Sequence, residues 1–385
     1  MQLPLTGNTP ASPPRRPQLA VHFAAAADSG GGLMDSVSSV AAAVGVDLSS
    51  SGADPWQRSV TTLLSQSYLA PHVDQAKIVL AWDSQSPSFA LNDQGAIQLG
   101  YDSDRLTPVF SGSIVGMETG IKCQAALTIC NGGFRLAQMR TNQSFAQQSA
   151  GDIVRSLAEL AEVETDTVEA GIDLPFYVVD DSRNLYQHIA ALAEKSGLLA
   201  TINGEGKLNF KAVTSAAAEK TFYYGVDILS LRMRRTPPPL DKITMVGGGA
   251  AGSQGSEAWS WLIKDPQSVT ASIGEGNKTR LMVDHSLRSQ EGVQQASAGK
   301  LFFARQHGVT VKLIVIGTAT IHAGSKIAIA DVPQAAFNGT AIVESVRHYY
   351  SKQKGFTSEI SALCEVGDSL DSLLSSSLGA VGGLL

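Results

Sequence analysis

Between Ile321 and Val366 the chain alternates between apolar and polar residues, and this alternation limits the possible fold more than any other feature. Ile327 and Ile329 alternate with Ala328 and Ala330, and a loop bearing Pro333 and Asn338-Gly339 follows. A β-branched run from Thr340 to Val346 comes next, then a polar connection from Ser351 to Lys354. The last run sets Phe356, Ile360, Ala362 and Cys364 on one face and Thr357, Glu359 and Ser361 on the other. Side chains of a strand repeat every two residues, so the pattern predicts an antiparallel meander with one buried face. No nucleophile, metal cluster or phosphate loop lies in it. Its information is architectural.

The same period recurs upstream. Ala76, Ile78, Leu80 and Trp82 alternate with Lys77, Val79, Ala81 and Asp83, and Ile97, Leu99 and Tyr101 alternate with Gln98, Gly100 and Asp102. Phe110, Gly112, Ile114 and Gly116 share one face, as do Cys123, Ala125, Leu127 and Ile129. Asn92-Asp93, Asp102-Ser103 and Asn131-Gly132-Gly133 separate these runs, which predicts a barrel or sandwich over residues 58–145. Helical spacing then takes over. Ser149 is a cap, Asp152 favours the first turn, and Ile153, Leu157, Leu160 and Ala161 form a stripe. A second helix runs from about Ser182 to Ser196 on Leu185, Ile189 and Leu192, with Gly197 as its stop. Strands Leu198–Ile202 and Lys207–Lys211 follow, joined by Asn203-Gly204-Glu205-Gly206. From about 220 the strand pattern resumes, interrupted by a third helix over 287–307. That helix carries Val293, Ala296, Lys300, Leu301 and Ala304 near one face and stops at Gly308.

A chain of 385 residues is too long for one ordinary core and predicts two or three domains. Its net charge of −6 and pI near 5.7 argue against general nucleic-acid binding, which needs a basic face. Only 17% of residues are charged and 37 are glycine, which suits strands and turns better than helical bundles. No apolar run approaches the ~20 residues that span a bilayer. Cys123 and Cys130 are seven positions apart in one expected strand, so they face opposite ways and do not pair. With Cys364 they read as buried thiols of a protein made in a reducing cytoplasm.

Residues 1–57 are rich in Pro, Ala, Ser and Gly. Arg15-Arg16 before PQLAVHFAAAA suggests an export signal, but the apolar part is short, His22 interrupts it and Pro17 follows the arginines. The simpler reading is a first strand, Gln18 to Phe23, and a long linker in which Met34, Val37, Val40, Ala41 and Val44 have helical spacing.

The chemical motifs are weak. Gly247-x-Gly249-x-x-Gly252 after the strand KITMV has the form of a dinucleotide fingerprint, but no apolar helical stripe follows to present amides to a pyrophosphate. Trp259 and Trp261 read as one face covering a core rather than a base-stacking platform. Asp284-His285 near several serines lacks a nucleophile elbow, and adjacent residues do not face each other productively. His188 and His322 stand alone, and Asp180-Asp181 reads as a turn and helix entry. The expectation is no catalytic, cofactor-binding or metal residue, no cofactor and no enzyme.

Several ordered segments carry a family resemblance. Val346-Arg347-His348-Tyr349-Tyr350 before Gly355-Phe356-Thr357 resembles the closing strands of the phage late-control D family. Gly100-Tyr101 with Val109-Phe110-Ser111-Gly112-Ser113-Ile114, SFAQQSAGDIVRSLAE, and the run from Ile189 to Leu198 resemble three earlier segments of the same family. Its members are baseplate hub proteins of contractile phage tails and injection systems, and they are similar to the N-terminal part of VgrG spike proteins. The resemblance covers roughly residues 60–366 and the first strand. It implies a mainly β fold with an α/β insertion: two tail-tube-like β-barrel domains plus a small helix–helix–hairpin domain. The expected division is an N-terminal strand and linker over 1–57, a first barrel over 58–145 and the inserted α/β domain over 146–215. A second barrel with the 287–307 helix spans 216–366, and a tail follows over 367–385.

The implied function is a structural hub. A homotrimer with two barrels per chain makes a pseudo-sixfold ring that adapts a threefold spike to a sixfold inner tube. Open barrel edges would pair between neighbours. Implied partners are a separate central spike protein, the inner tube protein and other baseplate proteins, with cargo or DNA passing through an acidic lumen. There is no stable membrane insertion, and assembly is in the bacterial cytoplasm into a phage or injection-system baseplate. The tail, with Leu370, Leu373, Leu374 and Leu378, departs from the family pattern and either docks as a short helix or frays. Two alternatives are a VgrG-like spike or effector carrier and a hub-associated peptidoglycan-degrading enzyme. Each needs a C-terminal needle or catalytic domain that this sequence does not carry.

Overall fold

The computed structural model describes residues 16–24, 55–84, 86–101, 105–121, 124–212, 217–248 and 269–364. Twelve strands join in one continuous sheet. Its first half contains β1 (Pro17–Ala24), β2 (Val60–Tyr68), β3 (Gln75–Ala81), β4 (Gln94–Tyr101), β5 (Thr107–Gly120) and β6 (Gln124–Cys130). They are antiparallel in the order β1-β4-β5-β6-β3-β2. The second half contains β12 (Lys220–Tyr223), β13 (Ile228–Arg235), β17 (Val309–Ile316), β18 (Lys326–Ala330), β19 (Gly339–Ser351) and β20 (Gly355–Cys364). Its order is β12-β18-β19-β20-β17-β13, parallel only between β12 and β18. The halves are joined where β2 pairs with β19, from Ser345 opposite Tyr68 to Ser351 opposite Thr62.

The expected meander is β18, β19 and β20. Ile327, Ile329, Phe356, Ile360 and Ala362 point into the core, and Ser358 shares their buried face. Leu63, Ile78, Leu80, Ile97, Leu99, Ile114, Leu127 and Ile129 fill the first half, while Val311, Leu313, Val343, Val346 and Ile360 fill the second. Alternating strands bury one face each, so each half has its own core.

Local departures have physical causes. Trp82 lies beyond the end of β3, 40% exposed and edge-on to Phe89, with ring centroids 4.9 Å apart. A bulge between Ile114 and Gly116 turns Gly116 towards Thr128, off the face it was expected to share with Phe110. Gly112 stays glycine for space, because a Cβ there would lie 2.2 Å from the Cys130 carbonyl oxygen. Asn131-Gly132-Gly133 is more than a turn. Asn131 accepts a hydrogen bond from the Gly133 amide and caps a helix the periodicity does not show, α2 (Gly132–Gln138), the chain's second after α1 (Pro55–Ser59).

The remaining elements lie beside the large sheet. They are β7 (Gln143–Ser149), α3 (Ala150–Leu160), β8 (Thr165–Val168), β9 (Asp173–Val179), α4 (Leu185–Ser196), β10 (Leu198–Ile202) and β11 (Leu208–Ala212), followed by β14 (Lys242–Gly247), β15 (Thr270–Gly274), β16 (Thr279–Asp284) and α5 (Gln290–Gln306). Ser149 caps α3 as expected, and Asp152 sits in its first turn. The stripe is narrower than expected, since Leu160 is 43% exposed at the last turn. Asn184 begins α4 in a reciprocal capping box with Gln187, and Gly197 ends it at φ 70°. The hairpin β10–β11 forms with Asn203 holding its turn through the amides of Glu205 and Lys207.

The helix expected over 287–307 packs on α4, not only on the barrel it was grouped with. Val293 and Ala296 share a core with Ile153, Leu157, Tyr186, Ile189, Leu192 and Phe210, joined by Met245, Val269 and Ala271 of the β15-β14-β16 sheet. The cause is a small-residue face. At Gly299 an added Cβ would come within 2.7 Å of the Glu194 carbonyl oxygen, so the two helices meet backbone to backbone. Lys300, placed near the apolar face by its spacing, reaches across to Glu194 at 2.7 Å. Leu301 and Phe302 also touch the large sheet through Ile342. No described helix is long and apolar enough to cross a membrane.

Candidate functional site

Asp284, His188 and Asp180, singled out from the sequence, each have a structural partner. Asp284 does not engage His285; it takes Lys195 Nζ at 2.7 Å and the Ser286 hydroxyl at 2.7 Å. Burial opposes its charge, but Lys195 and Ser286 outweigh that and hold the carboxyl below its usual range. His188 is buried, with Nε2 3.0 Å from the Asp180 carbonyl oxygen and Nδ1 3.2 Å from the Tyr177 hydroxyl. Asp180 accepts from the Ser182 amide and hydroxyl ahead of the Asn184 cap, the turn expected there. Gly247 and Gly248 make room for the 285–287 backbone, since a Cβ would meet the Leu287 oxygen at 2.4 Å or the His285 oxygen at 2.6 Å.

His322 is not isolated. Its ring centre lies 6.4 Å from that of His348, a residue noted in the sequence only as part of a strand. The Thr318 amide donates to Ser358 Oγ, Ser358 reaches His348 Nδ1 at 2.9 Å, and His348 Nε2 lies 3.1 Å from the Ile321 carbonyl. The Ile321 carbonyl can only accept, so Nε2 carries a proton, and in the neutral ring Nδ1 accepts from the Ser358 hydroxyl. Burial lowers His322 to about 4, and burial with the neighbouring ring lowers His348 to about 3. Alternation does signal His348, because it sits at an inward position of β19.

Asp74 is the other buried group that the sequence did not reveal. It accepts from the Tyr68 amide at 2.7 Å and from Asn131 Nδ2 at 2.7 Å, and burial pushes its carboxyl up to about 8. It thereby fixes the amide that caps α2 and ties the β2–β3 turn to the helical core. Cys130 is buried and Cys364 partly so, and burial raises both thiols, Cys130 to about 11, away from reactivity. Among the described residues no His, Cys, Asp or Glu group could hold a metal. Cys123, Gly249, Gly252, Trp259, Trp261, the 34–44 stretch and the 367–385 tail lie outside the described residues.

What remains exposed are sheet edges, a cleft and an apolar turn. β1 and β13 end the large sheet, and β12 ends its side branch, each paired on one side. An open cleft of ≈ 280 Å³ lies between the halves, lined by Tyr101, Arg105, Lys220, Asp227 and Phe356 among others. The turn between β12 and β13 exposes Tyr224 and Val226, and the strand ends beside it expose Tyr223 and Leu229.

Two six-stranded halves fused edge to edge, with an α/β unit packed beside them, form an architecture shared with phage tail proteins. A 43 kDa tail protein of prophage MuSo2 from Shewanella oneidensis matches 90% of this chain and 98% of its own, with TM-score 0.61 and 11% identity. The tail protein from Neisseria meningitidis MC58 matches 82% of this chain and 94% of its own, with TM-score 0.60 and 13% identity. An E. coli component of the type VI secretion system, itself similar to T4 tail proteins gp27 and gp5, matches 80% of this chain and 74% of its own, with TM-score 0.53 and 11% identity. At such identities the likeness is one of fold. No protein-family model matches the sequence, and no curated protein matches it.

Proposed function

We propose that the chain is a structural component of a contractile tail or injection apparatus, acting as its baseplate hub. The observation that carries this reading is the seam between β2 and β19, which unites two six-stranded halves in one sheet. Three such chains present six half-sheets, which reconciles a threefold spike with a sixfold inner tube. The single-sided edges β1 and β13 are then sites for neighbours rather than liabilities. The division into domains belongs to the same reading: a barrel on each side of the seam, with β14–β16 and α5 joining the 146–215 segment in one α/β domain. The late-control D resemblance of Val346–Tyr350 and Gly355–Thr357 supports it from the sequence side. A separate spike, the inner tube and other baseplate proteins are the partners it calls for, and assembly takes place in the bacterial cytoplasm.

The test is solution mass by light scattering, alone and with a spike protein. Three chains of 40.3 kDa give about 120 kDa. A trimer, alone or once the spike is added, is the expected result. A monomer indifferent to spike and tube proteins would sink the reading.

A further inference from the structure

One surface carries charge without a counter-charge. On the outer face of the second half, Arg232 stands directly opposite Lys312 in the β13–β17 ladder, and Arg234 faces the same way two residues on. All three are exposed, and among the described residues none makes an ion pair or side-chain hydrogen bond. Like charges directly opposite each other weaken a sheet. Glu359, the acid on the neighbouring strand of this face, is opposite Ile314 and pairs with Arg347 at 4.0 Å. Beside the cations the same face continues as Ile314 and Ile316, 40% and 41% exposed, and the β12–β13 turn adds Tyr224 and Val226, with Leu229 at the strand end beside it.

An apolar patch flanked by charge is the make-up of a protein interface. Three cations are few for a nucleic acid, whose partners commonly neutralise about 6–10 phosphates. The complement is in the same chain. From Glu159 to Asp173 there are Glu159, Glu162, Glu164, Asp166, Glu169 and Asp173, with no Lys or Arg between them. This segment leaves α3 and forms β8, the outer strand of the β10-β11-β8 sheet, and it carries the exposed Leu160. Glu169 is held by the Ala212 amide at 3.0 Å, but the others meet longer contacts where they meet any, Glu162 with Arg135 at 3.4 Å, Glu164 with Lys207 at 3.5 Å and Asp166 with Asn203 Nδ2 at 3.3 Å.

We propose that the outer face of β13–β17 docks the acidic α3–β8 segment of a second copy of this chain. The two patches differ, so the contact is heterologous and propagates head to tail until it closes a ring. The inference deepens the hub reading and rests on it only for the number of copies, three.

Charge exchange tests it, with light-scattering mass read on the full chain. One variant carries R232E and R234E, a second carries E159K and D166K, and a third carries all four. The first two should associate at least about tenfold more weakly than the natural chain, and the third should recover the natural mass. A single cooperative melting transition, no lower than that of the natural chain where R232E faces Lys312, shows that the variants fold. Natural assembly in the first two variants, or no recovery in the third, overturns the docking while a trimer leaves the hub reading standing. A ring or filament of another size that obeys the same exchange supports the docking and sinks the trimer. A labelled DNA duplex released by R232E and R234E with no change of mass overturns the docking in favour of a nucleic acid. A natural chain that stays monomeric at every concentration, with spike and tube proteins as well as without them, overturns both.

Discussion

At the scale of residues, His322, His348 and Asp74 give the stability of this protein opposing pH dependences. Unfolded, the imidazoles take a proton near pH 6.5; folded, they resist it to about 4 and about 3. The unfolded chain therefore binds more protons below pH 6.5, and stability falls as the pH drops through that window. Asp74 works the other way. Its folded carboxyl keeps a proton up to about 8, so its contribution is complete below the ordinary carboxylate value of 3.8 and is lost as pH rises through about 8. Between about 4 and 6.5 two histidines outweigh one carboxyl by about one proton, or roughly 1.4 kcal/mol per pH unit. These three groups set a stability maximum near pH 6.5, to be read from urea midpoints across that range. His348→Gln should flatten the acid limb, and an acid limb as steep as before would contradict the assignment.

At the scale of elements, helix ends and helix contacts carry separable contributions. Asn184→Ala removes the side-chain half of the capping box at α4, leaving the backbone amide of residue 184 to Gln187, and should cost about 1 kcal/mol, seen as a lower melting temperature with the fold unchanged. Gly299→Ala acts between elements. The added methyl meets the Glu194 carbonyl oxygen at 2.7 Å and must push α5 off α4, at a cost of about 1–3 kcal/mol. A neutral result would mean the helices separate without loss. The caps follow from local sequence, since Ser149 and Asn184 each reach an amide two or three residues ahead. The partner of α5 does not, because a helix with a small-residue face packs wherever another backbone comes close.

At the scale of the whole molecule, the seam makes two half-sheets unfold as one. Leu63 belongs to the core of the first half and Ile360 to that of the second, and both are fully buried. Leu63→Ala and Ile360→Ala should each lower the same single urea transition, by about 2–5 kcal/mol. Two transitions, one moved by each variant, would show that β2–β19 pairing does not couple the halves.

Alternation from Ile321 to Val366, and from Ala76 to Ile129, sufficed to place strands and their buried faces, because the two-residue period of the pleat is a local property. Ser149 marked the start of α3 and Gly197 the end of α4 for the same reason, while the Asn184 cap set the start of α4 later than the expected Ser182. Which strands pair was decided elsewhere: β1 lies against β4, and β2 against β19 from the far end of the chain. Such pairings are chosen by burial between distant segments, and a local window contains no term for it. The bulge after Ile114, the Asp74–Asn131 bond, the His322–His348 pair and the facing cations Arg232 and Lys312 all depend on that choice. Local pattern was enough for the strands, most of their inward faces and the helices α3, α4 and α5, whereas α2, the seam and the charged face came from the folded chain, because they arise from residues that meet only after it has closed.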